Sequence, residues 1–153
     1  MTLPTEKKTA GWYIPLLAWL IYGGAFFAFS KSLVKPAADI TNTDILNLFG
    51  TYAAFTGIAL GFLSFVVAGI VYLVVRLIKR GPSLTAASFI TALSFIPWLI
   101  FGWDLVYREP RYAEVARAII TYLGKPMLCS AEIVCGITLV IALCSLIFKK
   151  RSV

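Results

Sequence analysis

Residues 45–75 read ILNLFGTYAAFTGIALGFLSFVVAGIVYLVV, 31 residues without one formal charge. As a helix this stretch would run ~46 Å, against a bilayer hydrocarbon core of ~30 Å. It can therefore cross a membrane with length to spare, by tilting or by projecting beyond it. Its small residues are ordered. Ala53, Gly57, Gly61, Ser64 and Ala68 follow one another at spacings of four, four, three and four, which sets them on one helix face. Gly57 and Gly61 form a G-x-x-x-G within that stripe. In lipid, hiding apolar groups gains little, so close backbone approach along small residues is a main route to helix association. The stripe is expected to be a helix-packing face within the chain or a contact face for a partner.

The rest of the chain agrees with a membrane. Of 153 residues, 60% are hydrophobic and 14% charged, with a mean hydropathy of +0.89. A soluble domain would carry about 25% charged residues. The net charge of +7 invites a nucleic-acid reading, but no nucleic-acid motif accompanies it. The basic residues flank apolar spans, where Lys and Arg set topology. There is no histidine, which removes His-ligated haem, the usual His zinc sites and a His-based triad. Cys129, Cys135 and Cys144 form no C-x-x-C, and an odd number cannot all pair within the chain. They read as small apolar fillers of a helix. No metal and no cofactor is expected.

Four spans are expected, at about residues 11–30, 48–75, 84–104 and 127–148. The first follows a polar tail with Lys7 and Lys8, and its uncharged run exceeds the apolar core of a cleaved signal peptide. Pro15 suits a first helical turn. The second span ends in Arg76, Lys79 and Arg80, and Gly81-Pro82 breaks the chain before the third. Pro97 lies inside the third span, where it removes a backbone hydrogen bond and crowds the Leu93 carbonyl. Ser94 or a neighbouring helix is expected to answer that loss. Residues 110–123 have apolar positions at helical spacing but are too few to cross a bilayer. They read as a separate amphipathic helix, started by Pro110 and stopped by Gly124-Lys125-Pro126.

Charge counting orients the spans. Lys7, Lys8, Arg76, Lys79, Arg80, Lys149, Lys150 and Arg151 would share one side in very short segments. That dense side should face the cytoplasm, with both termini there, as in a bacterial-type inner membrane.

Two carboxylates stand out. Glu132 lies six residues into the fourth span, and Asp104 ends the third. An unpaired carboxylate at depth is costly, so Glu132 should be neutral, paired or close to the headgroups. Converging at the outer mouth, Asp104 and Glu132 would form an acidic pair compensated by Arg108 or Arg111, a possible polar or ion site. The run Arg108-Glu109-Pro110-Arg111-Tyr112-Ala113-Glu114 resembles an outer-loop stretch of the lipid-linked-sugar glycosyltransferases of the aminoarabinose and mannosyl transferase type. The leading position in that family is a catalytic acid; here it is Arg108, and the stretch follows the third span rather than the first. The chain is also too short for that many-span fold. The likeness is read as the shared grammar of an amphipathic outer helix. No H-E-x-x-H, P-loop or G-x-S-x-G occurs, and no catalytic residue is assigned.

The expectation is an all-α integral membrane protein, a four-helix bundle with a short amphipathic helix between spans three and four. Its partners are the lipid bilayer and another membrane protein or a second copy of itself, without nucleic acid. It is not expected to be an enzyme. It would act through helix–helix contact, as a complex subunit or as an immunity-type protein blocking a pore-forming toxin. The alternative is a small oligomeric transporter or channel with a membrane carboxylate in its path.

Overall fold

A computed structural model of the chain describes residues 11–32, 43–79, 84–107 and 114–151. Every described element is a helix: α1 (Tyr13–Ser32), α2 (Thr43–Lys79), α3 (Leu84–Tyr107) and α4 (Glu114–Arg151). All four contain stretches long and apolar enough to cross a membrane: Tyr13–Ser30, Ala54–Ile78, Leu84–Tyr107 and Leu123–Arg151. Only 22–33% of the residues in each stretch are buried, so most of every span faces outward. That outward surface is apolar, with Leu20, Phe27, Phe55, Leu63, Ile70, Leu93, Ile100, Val140 and Leu143 exposed. In water such a surface would be an aggregation liability; in a bilayer it is the solvated side. The chain is a multi-pass membrane protein by this architecture.

Consecutive helices are antiparallel neighbours, and α4 closes the ring against α1. Near one end lie Tyr13, Arg76, Leu84 and the Lys149-Lys150-Arg151 run; this is the basic end. Near the other lie Ser30, Ala54, Tyr107 and Leu123; this is the far end. The largest interface joins α3 and α4. Its tightest point is Gly102, where a Cβ atom would stand 2.9 Å from the backbone nitrogen of Leu128. Farther along, the Cys135 thiol donates to the Ala92 carbonyl at 3.7 Å, and the Thr85 and Ser145 hydroxyls meet near the basic end. Glycine at position 102 thus sets the spacing of the pair at the far end, and hydroxyls tie it at the basic end.

The core is aromatic and small-residue by turns. Ala18, Tyr22 and Phe26 of α1 pack with Phe95 of α3 and with Met127, Ala131, Val134 and Cys135 of α4. The Tyr22 ring lies 5.1 Å from the Phe95 ring, centroid to centroid. A second cluster nearer the basic end joins Ile14, Tyr72 and Ala87. Buried hydroxyls mostly turn back on their own helix. Ser30 donates to the Phe26 carbonyl, Ser88 to Leu84, Thr91 to Ala87 and Thr138 to Val134, all at 2.7–2.9 Å. This answers the demand that a polar group away from water keep a partner.

One expectation is corrected. The amphipathic stretch is not a separate helix among the described residues: Glu114–Arg151 is continuous, passing through Gly124-Lys125-Pro126 without a stop. Residues 110–113 lie outside the described residues. Pro126 inside a helix forfeits the bond to the carbonyl four residues back, a loss of about 3 kcal/mol in an exposed helix. Here Gly124, Pro126, Met127 and Leu128 are all buried against the other helices, and that packing holds the helix through the proline. Sequence rules for helix stops assume that the segment beyond the break has no such seat. Pro97 likewise leaves α3 unbroken, and Pro15 sits in the first turn of α1, as expected.

Candidate functional site

The small-residue stripe of α2 is packed inside the molecule. Gly57 lies under Phe26, where a Cβ would stand 2.3 Å from ring carbons. Gly61 lies against Tyr22 and Trp19, with hypothetical Cβ distances of 2.8 and 2.9 Å. Ser64 and Ala68 are buried, at 2% and 0% exposure. Ala53 is in the same helix, and its side chain lies outside the described residues. The stripe therefore receives the aromatic side chains of α1, and the indole of Trp19 donates to the Ile58 carbonyl of α2 at 3.0 Å.

Ser64 has a second task. Its hydroxyl donates to the Ser94 carbonyl at 2.9 Å and accepts from the indole of Trp98. The Ser94 carbonyl is one residue beyond the Leu93 carbonyl that Pro97 leaves without a helical donor. Ser94 itself donates to the Thr91 carbonyl at 2.7 Å. These hydroxyls tie α3 beside Pro97 to its own preceding turn and to α2, on carbonyls flanking that of Leu93 rather than on it. Sequence reading named Ser94 and a neighbouring helix in general; it did not identify Ser64 or Trp98. The signal was present in the spacing, because Ser64 is the one polar member of an otherwise Gly/Ala stripe.

Asp104 and Glu132 stand at different levels of the α3–α4 pair. Gly102 faces Leu128 across the α3–α4 interface. Asp104 is two residues beyond that contact toward the far end, and Glu132 is four residues below it. The resulting axial offset is ~9 Å. Asp104 is half-buried, whereas Glu132 is exposed on the outward side of α4. Arg108 and Arg111 lie outside the described residues. Among the described residues no cationic side chain pairs with Glu132, and no three Cys, Asp or Glu side chains gather as a metal site would require.

Other glycines contrast with Gly57, Gly61 and Gly102. Gly24 of α1, Gly69 of α2 and Gly136 of α4 have nothing among the described residues within 4 Å of where a Cβ would stand, their own helix backbone aside. Gly24 and Gly136 are exposed, and Ala28, one turn from Gly24, is exposed as well. These residues leave shallow notches in the outward surface. At the far end Trp103 and Tyr107 stack on each other, centroids 4.2 Å apart and both exposed, as interfacial aromatic residues do. Two buried hydroxyls, those of Tyr22 and Ser130, have no hydrogen-bond partner among the described residues.

No protein family, curated protein or solved structure matches this chain.

Proposed function

We propose that this protein works by lateral association with another membrane protein, as a complex subunit or as an immunity-type protein that blocks a pore-forming toxin, and not by catalysis. The observation that supports this reading is the pair of outward glycines, Gly24 on α1 and Gly136 on α4, where an added Cβ would meet nothing within 4 Å among the described residues. A glycine facing lipid leaves backbone open to a neighbouring helix, and such close approach drives association where the hydrophobic effect does not. The proposed setting is a bacterial-type inner membrane with both termini cytoplasmic. Arg76, Lys79, Lys149, Lys150 and Arg151 at the basic end support that orientation, together with Lys7, Lys8 and Arg80 in sequence.

The test is native mass spectrometry of the tagged protein, extracted in mild detergent from its own cell. A stoichiometric second membrane protein, lost on Gly24→Leu or Gly136→Leu while insertion is kept, is the expected result. A lone monomer in every preparation would remove the reading.

The outward position of Glu132 favours one alternative, a small oligomeric transporter or channel. Copies arranged with α4 toward a central axis would set that carboxylate in the path. A defined homo-oligomer without a second protein, and a vesicle flux lost on Glu132→Gln, would support it.

A further inference from the structure

The outward face of α4 carries a regular seam. Cys129, Glu132, Gly136, Leu139, Leu143 and Leu146 recur at spacings of three, four, three, four and three, between Lys125 and Lys150. All are exposed except Cys129, which is half-buried. This 3.5-residue period is the one by which two helices stay in contact along their length at a shallow crossing angle. Large apolar side chains occupy the half toward the basic end, and a notch at Gly136 lies one turn below the carboxylate.

Depth makes the carboxylate significant. From Lys149, which marks the basic boundary, Glu132 is 17 residues along α4. At ~1.5 Å per residue that is ~25 Å into a hydrocarbon layer of ~30 Å, so its Cα lies ~5 Å inside the far boundary. Lys125 on the same face is seven residues away, ~10 Å farther out, beyond salt-bridge reach. Every other residue of the seam is uncharged, and the apolar spans Tyr13–Ser30 and Leu84–Tyr107 hold no basic residue. A second copy docked through the same seam would bring carboxylate to carboxylate, and one docked through α1 or α3 would bring no cation. An intramembrane acid is costly unless paired, and a cation on a docked helix of another protein would supply the pair.

Resting on the reading of the protein as an interaction partner, we infer that the α4 seam docks a transmembrane helix of another protein that carries a lysine or arginine about one turn inside the far membrane boundary. The cation pairs with Glu132, and the partner backbone seats on Gly136.

The probe is a synthetic polyleucine helix of about 20 residues, long enough to span. It carries one lysine a turn from its end, with an all-leucine helix as control. Energy transfer is read in phosphatidylcholine vesicles between the labelled peptide and the full chain labelled at its C-terminus. The lysine helix should bind at least about tenfold more tightly than the control, a difference of about 1.4 kcal/mol. Glu132→Gln should erase that preference, and Gly136→Leu should weaken both peptides. Equal binding of the two peptides would overturn the inference, as would a preference that survives Glu132→Gln. Self-association of the chain that neither peptide displaces would also overturn it. A native partner lost on Gly136→Leu but kept on Glu132→Gln would refute the cationic partner and leave the broader interaction reading standing.

Discussion

Gly57 lies directly beneath Phe26, so close that a Cβ at position 57 would stand 2.3 Å from the ring. Phe26 is fully buried and is itself packed against Tyr22, so its ring has nowhere to retreat. Gly57→Ala should therefore destabilise the protein by on the order of 3 kcal/mol, at the upper end of overpacking costs. Thermal unfolding in mild detergent would read this. Combining Gly57→Ala with Phe26→Leu should recover part of the loss, because the two changes share one space. Additive losses would place the ring elsewhere.

The glycines divide into covered and uncovered ones. Gly102→Ala drives a methyl group into the Leu128 backbone, which cannot swing aside as a side chain can. It should cost about 1–3 kcal/mol and loosen the α3–α4 pair. Gly136→Ala meets nothing within 4 Å and should leave the isolated chain unchanged or slightly more stable. Equal effects of the two substitutions on melting would contradict the packing described.

Ser64 joins α2 to α3 at two points through one hydroxyl. Ser64→Ala removes the donor to the Ser94 carbonyl and the acceptor for the Trp98 indole, leaving both half-buried groups short of a partner. The expected cost is about 1–2 kcal/mol. Trp98→Phe should cost less, and the double variant should cost little more than Ser64→Ala alone. A double-mutant cycle in detergent gives the coupling directly.

Tyr22 presents the opposite case. Its hydroxyl is fully buried, and no hydrogen-bond partner is found among the described residues. Tyr22→Phe keeps the ring against Phe95 and removes a polar group, so stability should rise by about 1 kcal/mol. A fall in melting temperature would mean that the hydroxyl is bonded in the folded protein, to a water or to a residue outside those described.

The four spans and their helical type were legible from the residues, because long uncharged runs have one physical solution in lipid: a helix that satisfies its own backbone. The extents were less legible. α4 begins well before the apolar run expected at 127–148, and the helix stop read at Gly124-Lys125-Pro126 is absent because packing around Pro126 outweighs its local cost. Local signals for helix ends do not include the neighbour that buries them.

The candidate residues show the same division. Periodicity alone established that Ala53, Gly57, Gly61, Ser64 and Ala68 share a face, since 3.6 residues make a turn whatever surrounds the helix. It could not say whether that face meets a helix of the same chain or of another. The tertiary structure decided this for Gly57 and Gly61 by laying Phe26, Tyr22 and Trp19 on them, and by leaving Gly24 and Gly136 uncovered. Glu132 follows the same rule. Its place within an apolar span is a property of the chain, whereas its outward direction and its separation from Asp104 depend on how α4 rotates against α1 and α3. That rotation is set by which small residues let which backbones approach, a matter of pairs of helices that no single stretch contains.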